Sequence, residues 1–203
     1  MKGLIGKKLG MTQLFDEQGK VIPVTVIEAG PCYLIKKIKY GNDKYETLQL
    51  GFDTCKEKSL NNAESGIFKK VNVAVCRVLK ELKFDTNYNV GDQIKVDIFN
   101  IGEMVNISGL TKGRGFTGAV KRYGFSGFGA SHGTAKSFRG VGSRGTRFPQ
   151  HSRKGTRGPG HYGCERVTVR NLKIVDINKE ENLIFVKGAV PGANGSYLQI
   201  TTA

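Results

Sequence analysis

RVTVRNLKIVDINKEENLIFVKGAV, residues 166–190, carries the pattern that decides the fold. Val, Ile and Leu recur in short, partly alternating runs at 166–177 and 183–190, separated by the polar NKEEN at 178–182. Runs of this kind read as strands joined by a tight turn. Downstream, PGANG brings Asn194-Gly195, a hairpin signal, ahead of SYLQI (196–200). Upstream the habit repeats in VIPVTVIEA (21–29), CYLIKKIK (32–39) and TLQLGF (47–52), and MVNIS (104–108) is a further candidate. DEQG at 16–19, Gly30-Pro31 and GND at 41–43 punctuate these runs. ESGIFKKVNVAVCRVLKEL (64–82) reads as a short helix running into a strand near Val75. Short strands at this spacing predict a mainly β protein, built as a closed barrel or a sandwich.

The chain has 203 residues, a net charge of +15 and a pI near 9.8. That length buries a real core in one or two domains. The charge exceeds what solubility requires and repels itself unless a polyanion neutralises it, so nucleic acid is the first expected partner and an anionic membrane surface the second. No run approaches the roughly 18 apolar residues of a bilayer span. MKGLIGKKLGMTQLF at the start lacks the apolar stretch of a secretory signal, so the protein is expected to stay where it is made. Cys32, Cys55, Cys76 and Cys164 are scattered with no C-x-x-C pair, which suits thiols in a reducing compartment.

The charge is concentrated. No Asp or Glu lies between Glu103 and Glu165, which leaves 61 positions without an acid. That stretch holds 11 of the 32 Lys and Arg, all three His and 15 of the 28 Gly, so it carries +11 of the +15. Seven of the ten Arg lie in it, whereas the remainder relies mostly on Lys. Arginine offers a planar fork that pairs with phosphate and stacks on bases, where lysine is a point charge. Apolar residues there are mostly single aromatics among glycines, with no period that makes a buried face, except around TGAVKRYGF (117–125). Such a segment is expected to be largely disordered alone and to take shape on a partner. It interrupts the strand pattern, so both of its ends are expected to be pinned to the body as a tethered loop.

Several motifs within it have competing readings. GRGFTG (113–118) fits G-x-G-x-x-G, but a dinucleotide site wants an acid about 20 residues on, and none precedes Glu165. Glycines that let backbone lie against phosphates explain the same residues better. Arg114-Gly115-Phe116 echoes a fragment of an RNA-recognition sheet motif whose remainder is missing. Phe116, Phe125 and Phe128 could stack on bases or anchor the root of the segment, with equal weight. His161 and Cys164 sit three apart, yet there is no second ligand pair for zinc and no orienting partner for a nucleophile. No catalytic set, metal or cofactor is expected. A solvated basic face remains as the bland reading, but such tails are usually terminal and Lys-rich.

One ordered set of blocks then identifies a resemblance. GLIGKKLGMTQLF (3–15), GLTKGRGFTGAVKRYGF (109–125), SHG (131–133), the spaced Arg139, Gly142, Ser143 and Gly145, KG (154–155), GHYGCERVT (160–168) and LIFVKGAVPG (183–192) follow one another as in the ribosomal protein L-three family of the large subunit, bacterial or organellar type. The resemblance covers nearly the whole chain. It implies a six-stranded translation-protein-type β-barrel, residues 1–108 and 164–203, with a long irregular Gly/Arg-rich extension, residues 109–163. It also implies a structural, non-enzymatic constituent of the ribosome, cytoplasmic or in an organellar matrix. Such a protein binds large-subunit ribosomal RNA near its 3′ end, nucleates assembly and reaches toward the peptidyl transferase centre. Neighbours would be proteins L-fourteen and L-nineteen, with no membrane and no stable homo-oligomer.

By motif, Lys112, Arg114, Lys121, Arg122, His132, Arg139 and Lys154 are implied RNA contacts, with His161 near the tip. The remaining cations of the stretch, Lys136, Arg144, Arg147, Arg153 and Arg157, join them on charge alone. FPQHSRKG (148–155) departs from the usual Pro-Gly-Arg-Val-Phe-Lys-Gly, and Phe138 stands where His is common. An RNA-acting enzyme would require perturbed acids in a pocket, and DNA compaction would show as equal binding to duplex DNA. A membrane-surface role would require an amphipathic helix that the glycines oppose.

Overall fold

The computed structural model describes residues 2–39, 46–84, 88–134 and 136–203. The turn expected at 41–43 lies outside the described residues. In chain order the elements are β1 (Gly3–Phe15), β2 (Val21–Ala29), β3 (Cys32–Ile38), β4 (Glu46–Thr54), α1 (Asn62–Val71), β5 (Cys76–Phe84), β6 (Gln93–Ile94) and β7 (Met104–Leu110). Then come β8 (Gly115–Thr117), α2 (Ala119–Tyr123), β9 (Gly160–Tyr162), β10 (Arg166–Asn178), β11 (Leu183–Lys187) and β12 (Tyr197–Thr202). The chain divides into two compact units, Met1–Leu110 with Arg166–Ala203, and Thr111–Glu165. Among the described residues no helix is long and apolar enough to cross a membrane.

The first unit, here called the body, is mainly β. Six antiparallel strands run β1-β12-β7-β10-β11-β2, and β2 pairs back onto β1 to close a ring. Closure leaves no strand edge for another chain to pair with. Alternating apolar residues point inward: Val105 and Ile107 of β7, Ile184 and Val186 of β11, and Leu198 and Ile200 of β12 are all buried. β1 needs glycine to fit. A Cβ on Gly3 would stand 2.7 Å from the Ile200 carbonyl oxygen, and one on Gly6 would stand 2.7 Å from Ile27 Cγ2. Glycine in a strand here marks close approach of neighbouring backbone and side chain.

A second sheet, β5-β4-β3-β6, shares the core. Leu34, Leu48, Leu50, Phe52, Leu82, Phe84 and Ile94 form one cluster with Leu4, Ile5, Ile27 and Ile107 of the ring. Tyr197 on β12 fastens the two sheets by donating its hydroxyl to Asp53 Oδ2 at 2.5 Å. α1 lays Phe68 onto Ile35, Val75 and Cys76 as a smaller cluster. Its start is fixed by the Asn61 N–H donating to Glu64 Oε2, and it stops at Asn72, whose φ of 55° is left-handed. The helix-to-strand reading of 64–82 therefore holds, with the break four residues long.

The turns hold in part. DEQG closes β1 to β2 with Gly19 at φ 75°, and NKEEN closes β10 to β11 with Asn178 opposite Leu183. The Asn194-Gly195 turn forms, but it does not make a hairpin. Both edges of β11 are already taken by β10 and β2, so β12 pairs with β1 and β7 instead. The turn is held by β1. Gly195 donates its N–H to the Lys8 carbonyl at 2.6 Å, and the buried Lys8 ammonium donates to the carbonyls of Val190 (3.0 Å) and Gly192 (3.2 Å).

Candidate nucleic-acid interface

The second unit, here called the insert, leaves the body at Leu110 and returns at Arg166, which are register partners across β7 and β10. Its own first and last residues also pair. The Thr111 N–H donates to the Glu165 carbonyl at 2.9 Å, and the Glu165 N–H donates to Thr111 Oγ1 at 3.2 Å. Next inside lies the β8–β9 ribbon, with Gly115 opposite Tyr162, Phe116 opposite His161 and Thr117 opposite Gly160. Glycine is required at this root. Gly163 has φ 82°, and a Cβ there would lie 2.2 Å from the Lys112 carbonyl oxygen.

α2 is the element hinted at by TGAVKRYGF, and Gly124 at φ 72° ends it. Between it and β9 the segment is turns with no strand or helix among the described residues. Few of its residues are buried: Thr117, Ala119, Gly158 and Gly163 are the described ones. The aromatics divide by partner. Phe125 packs near Tyr123, ring centres 6.2 Å apart. Phe128 lies against Gly140, where a Cβ would come within 2.8 Å of its ring. Phe116 is 81% exposed.

The thirteen cationic and His positions singled out above divide by partner as well. All are exposed except Arg122, which is half-buried. Arg122 donates from Nη1 to the Gly158 carbonyl at 3.1 Å, and its guanidinium lies 5.0 Å from the Tyr123 ring centre. Arg157 approaches the same ring at 5.6 Å. Arg144 donates from Nη2 to the Thr156 carbonyl at 3.3 Å. These three brace the insert itself. Arg114, Lys121 and Arg139, the last with its guanidinium 5.3 Å from the Phe138 ring centre, line one open concavity of about 470 Å³ together with Phe116, Thr117, Gly118 and Val120.

The remaining positions do not line that concavity. Lys112 sits at the root, and so does His161, which the resemblance places near the tip, because pairing with Phe116 in the β8–β9 ribbon holds it beside the Thr111–Glu165 closure; His132, with φ 58°, stands at a turn. Lys136 and Arg147 are exposed on turns, with Arg147 5.9 Å from the Phe148 ring. Arg153 and Lys154 flank a turn closed by Thr156. Cys164 is an exposed thiol against Gly113, and no group of three His, Cys, Asp or Glu that could hold a metal occurs among the described residues.

Electrostatically the insert has eleven Lys and Arg against the single carboxylate of Glu165. The ion pairs formed among the described residues, Lys2–Glu103, Lys39–Glu46, Lys69–Glu57 and Lys179–Asp97, all belong to the body. Unneutralised cations around a shallow concavity suit a polyanion. The Phe116–His161 pairing escaped the sequence reading, because three-residue strands 45 positions apart leave no periodic trace.

Comparison with known proteins identifies the family. The family model described as Ribosomal protein L3 matches residues 54–188. The whole chain is 46% identical to the large ribosomal subunit protein uL3 of Carboxydothermus hydrogenoformans, covering 97% of it. It is likewise 48% identical to the uL3 proteins of Pelotomaculum thermopropionicum and Thermosipho africanus, covering 97% and 98% of them. The chain belongs to the ribosomal protein L3 family, whose members are structural components of the large ribosomal subunit and not enzymes.

Proposed function

We propose that this protein is a structural constituent of the large ribosomal subunit that holds large-subunit ribosomal RNA through its insert. The observation that carries this reading is the 61-residue run without an acid, whose cations are exposed apart from Arg122. In this reading the ring is a translation-protein-type barrel and residues 109–163 are the extension that enters the RNA. It binds near the 3′ end of that RNA early in assembly and reaches toward the peptidyl transferase centre, beside proteins L-fourteen and L-nineteen. The protein works as one copy per subunit, in the compartment where the ribosome is built.

Binding proceeds by electrostatic docking and then ordering. Arg and Lys displace counterions condensed on RNA phosphates, and glycines such as Gly163 admit close backbone approach. The contacting set is Lys112, Arg114, Lys121, Arg122, His132, Lys136, Arg139, Arg144, Arg147, Arg153, Lys154, Arg157 and His161. Of these, Arg114, Lys121 and Arg139 meet phosphate around the concavity, while Arg122, Arg144 and Arg157 also set the shape that presents the others. Specificity comes from RNA shape more than from base edges.

The test replaces residues 113–163 with a short linker, using the Thr111–Glu165 pairing as the natural splice. The expected result is a folded body with native-like thermal unfolding that no longer enters large subunits. Normal incorporation of the spliced chain would refute the role of the insert.

A further inference from the structure

We infer that one face of the β8–β9 ribbon is a stacking site for a single unpaired nucleotide, with Phe116 and His161 against the base and Arg114, Lys121 and Arg139 around its flanking phosphates. The inference rests on the reading of the insert as an RNA-binding element and adds what kind of RNA feature it takes.

Strand geometry decides which rings of the ribbon share a face. Residues directly opposite in an antiparallel pair point to the same face, with Cβ atoms about 4.5–5.5 Å apart. Phe116 and His161 are such a pair, so their rings share one face of the ribbon. The opposite face carries Thr117, which is buried, and Tyr162, which is half-buried. The ribbon thus has an inner side facing its own unit and an outer side of two aromatic rings left to solvent.

Phe116 is 81% exposed and His161 is also exposed, whereas Phe125 and Phe128 have found partners within the insert. An aromatic that anchored the root would be covered. Phe116 is not.

Charge specifies the occupant. The concavity that Phe116 lines is also lined by Arg114, Arg139 and Lys121, with no acid in the segment to neutralise them. An apolar peptide would leave these cations unpaired. A paired duplex would satisfy the cations but keeps its bases stacked on each other, leaving Phe116 idle. A nucleotide turned out of its helix offers a π-face to the rings and phosphates to the cations. A Cβ on Gly118, which lines the same concavity, would meet nothing within 4 Å, so the space there is open.

The experiment uses the full chain and two labelled RNA hairpins, identical except that one carries a single bulged 2-aminopurine. Wild type should bind the bulged hairpin roughly tenfold more tightly than the paired one, as stacking of one base allows. Phe116→Ala should level the two affinities without changing binding of the paired hairpin or its salt slope. Phe116→Trp should keep the preference and Phe116→Leu should lose it, which separates a π-face from mere bulk. His161→Ala should lower the preference in part.

Equal binding of both hairpins by wild type would overturn the stacking site while leaving RNA binding by the insert intact. Binding to neither hairpin, with the body folded, would instead sink the underlying reading. If Phe116→Ala weakened both hairpins equally, the ring would be a support for the insert, and the inference would fall.

Discussion

The body and the insert are made by opposite physical means from one chain. The body closes a ring of strands around a core in which Leu4, Ile27, Ile107, Ile184 and Ile200 have no exposure at all. The insert buries little, pins its ends by the Thr111–Glu165 pairing and its short ribbon, and spends its side chains on exposed cations. Burial makes the first self-sufficient, since apolar area removed from water offsets ordering entropy. The second keeps its charges unneutralised, which costs stability alone and becomes an advantage only against a polyanion. In the proposed reading, fold and function are therefore separable along this chain.

The largest expected effect is on the salt dependence of RNA binding. For roughly 6–10 phosphate contacts, affinity should fall about 10³–10⁵-fold between ~50 and ~200 mM salt. The spliced body should show almost none of that slope, and a steep slope without the insert would erase the contrast. Next comes the core. Ile184→Ala should cost about 2–5 kcal/mol in urea unfolding. Phe148→Ala, on a residue 74% exposed in the insert, should change global stability by less than about 0.5 kcal/mol.

Within the insert, Gly163→Ala forces a side chain into left-handed backbone against Lys112. It should destabilise the ribbon by on the order of 1–3 kcal/mol, read as faster amide exchange at residues 114–117 and 160–163 with an unchanged body. Arg139→Gln should lower the salt slope by about one, while Arg122→Ala should act mainly by loosening the turn at Gly158.

The smallest effects concern the alkaline limb of stability. Burial pushes the Cys32 thiol up to about 12, and the hydrogen bond to Asp53 raises the Tyr197 hydroxyl above its ordinary value. Both folded values lie above the unfolded ones, so the associated stability is complete below the unfolded pKa and is lost as pH rises through the folded one. For Cys32 that window runs from about 9 to about 12. Cys32→Ala should flatten unfolding free energy against pH across that window. Tyr197→Phe should cost about 1 kcal/mol near neutral pH through the lost hydrogen bond. At pH 8 a maleimide should label exposed Cys164 well before Cys32 or Cys76.

Much of this contrast is written locally. VIPVTVIEA is β2 to the residue, RVTVRNLKIVDI is β10 but for one, and 64–82 divides into α1 and β5 as its pattern indicates. The missing acids mark the insert without any structure. What stayed hidden is non-local. β1 carries Gly3, Gly6 and Gly10 among lysines, which breaks alternation, and its place in the ring depends on Gly3 meeting Thr201 from the far end of the chain. The Asn194-Gly195 turn misled because a turn signal says nothing about which edges are already filled. Which arginines bond within the insert and which line the concavity was equally hidden, since Arg122 and Arg139 look alike until Gly158 and the concavity stand beside them.

Backbone hydrogen bonds in the insert beyond α2 are mostly short turns open to water, such as Ser137 to Thr134 and Gly140 to Ser137. Such bonds open at little cost. Amide hydrogen exchange on the full chain, with and without large-subunit ribosomal RNA, tests the division most directly. The account predicts slow exchange throughout the ring in both states, and exchange at residues 125–159 that is fast alone and slow once RNA is added. Residues 125–159 exchanging alike in the two states would contradict it.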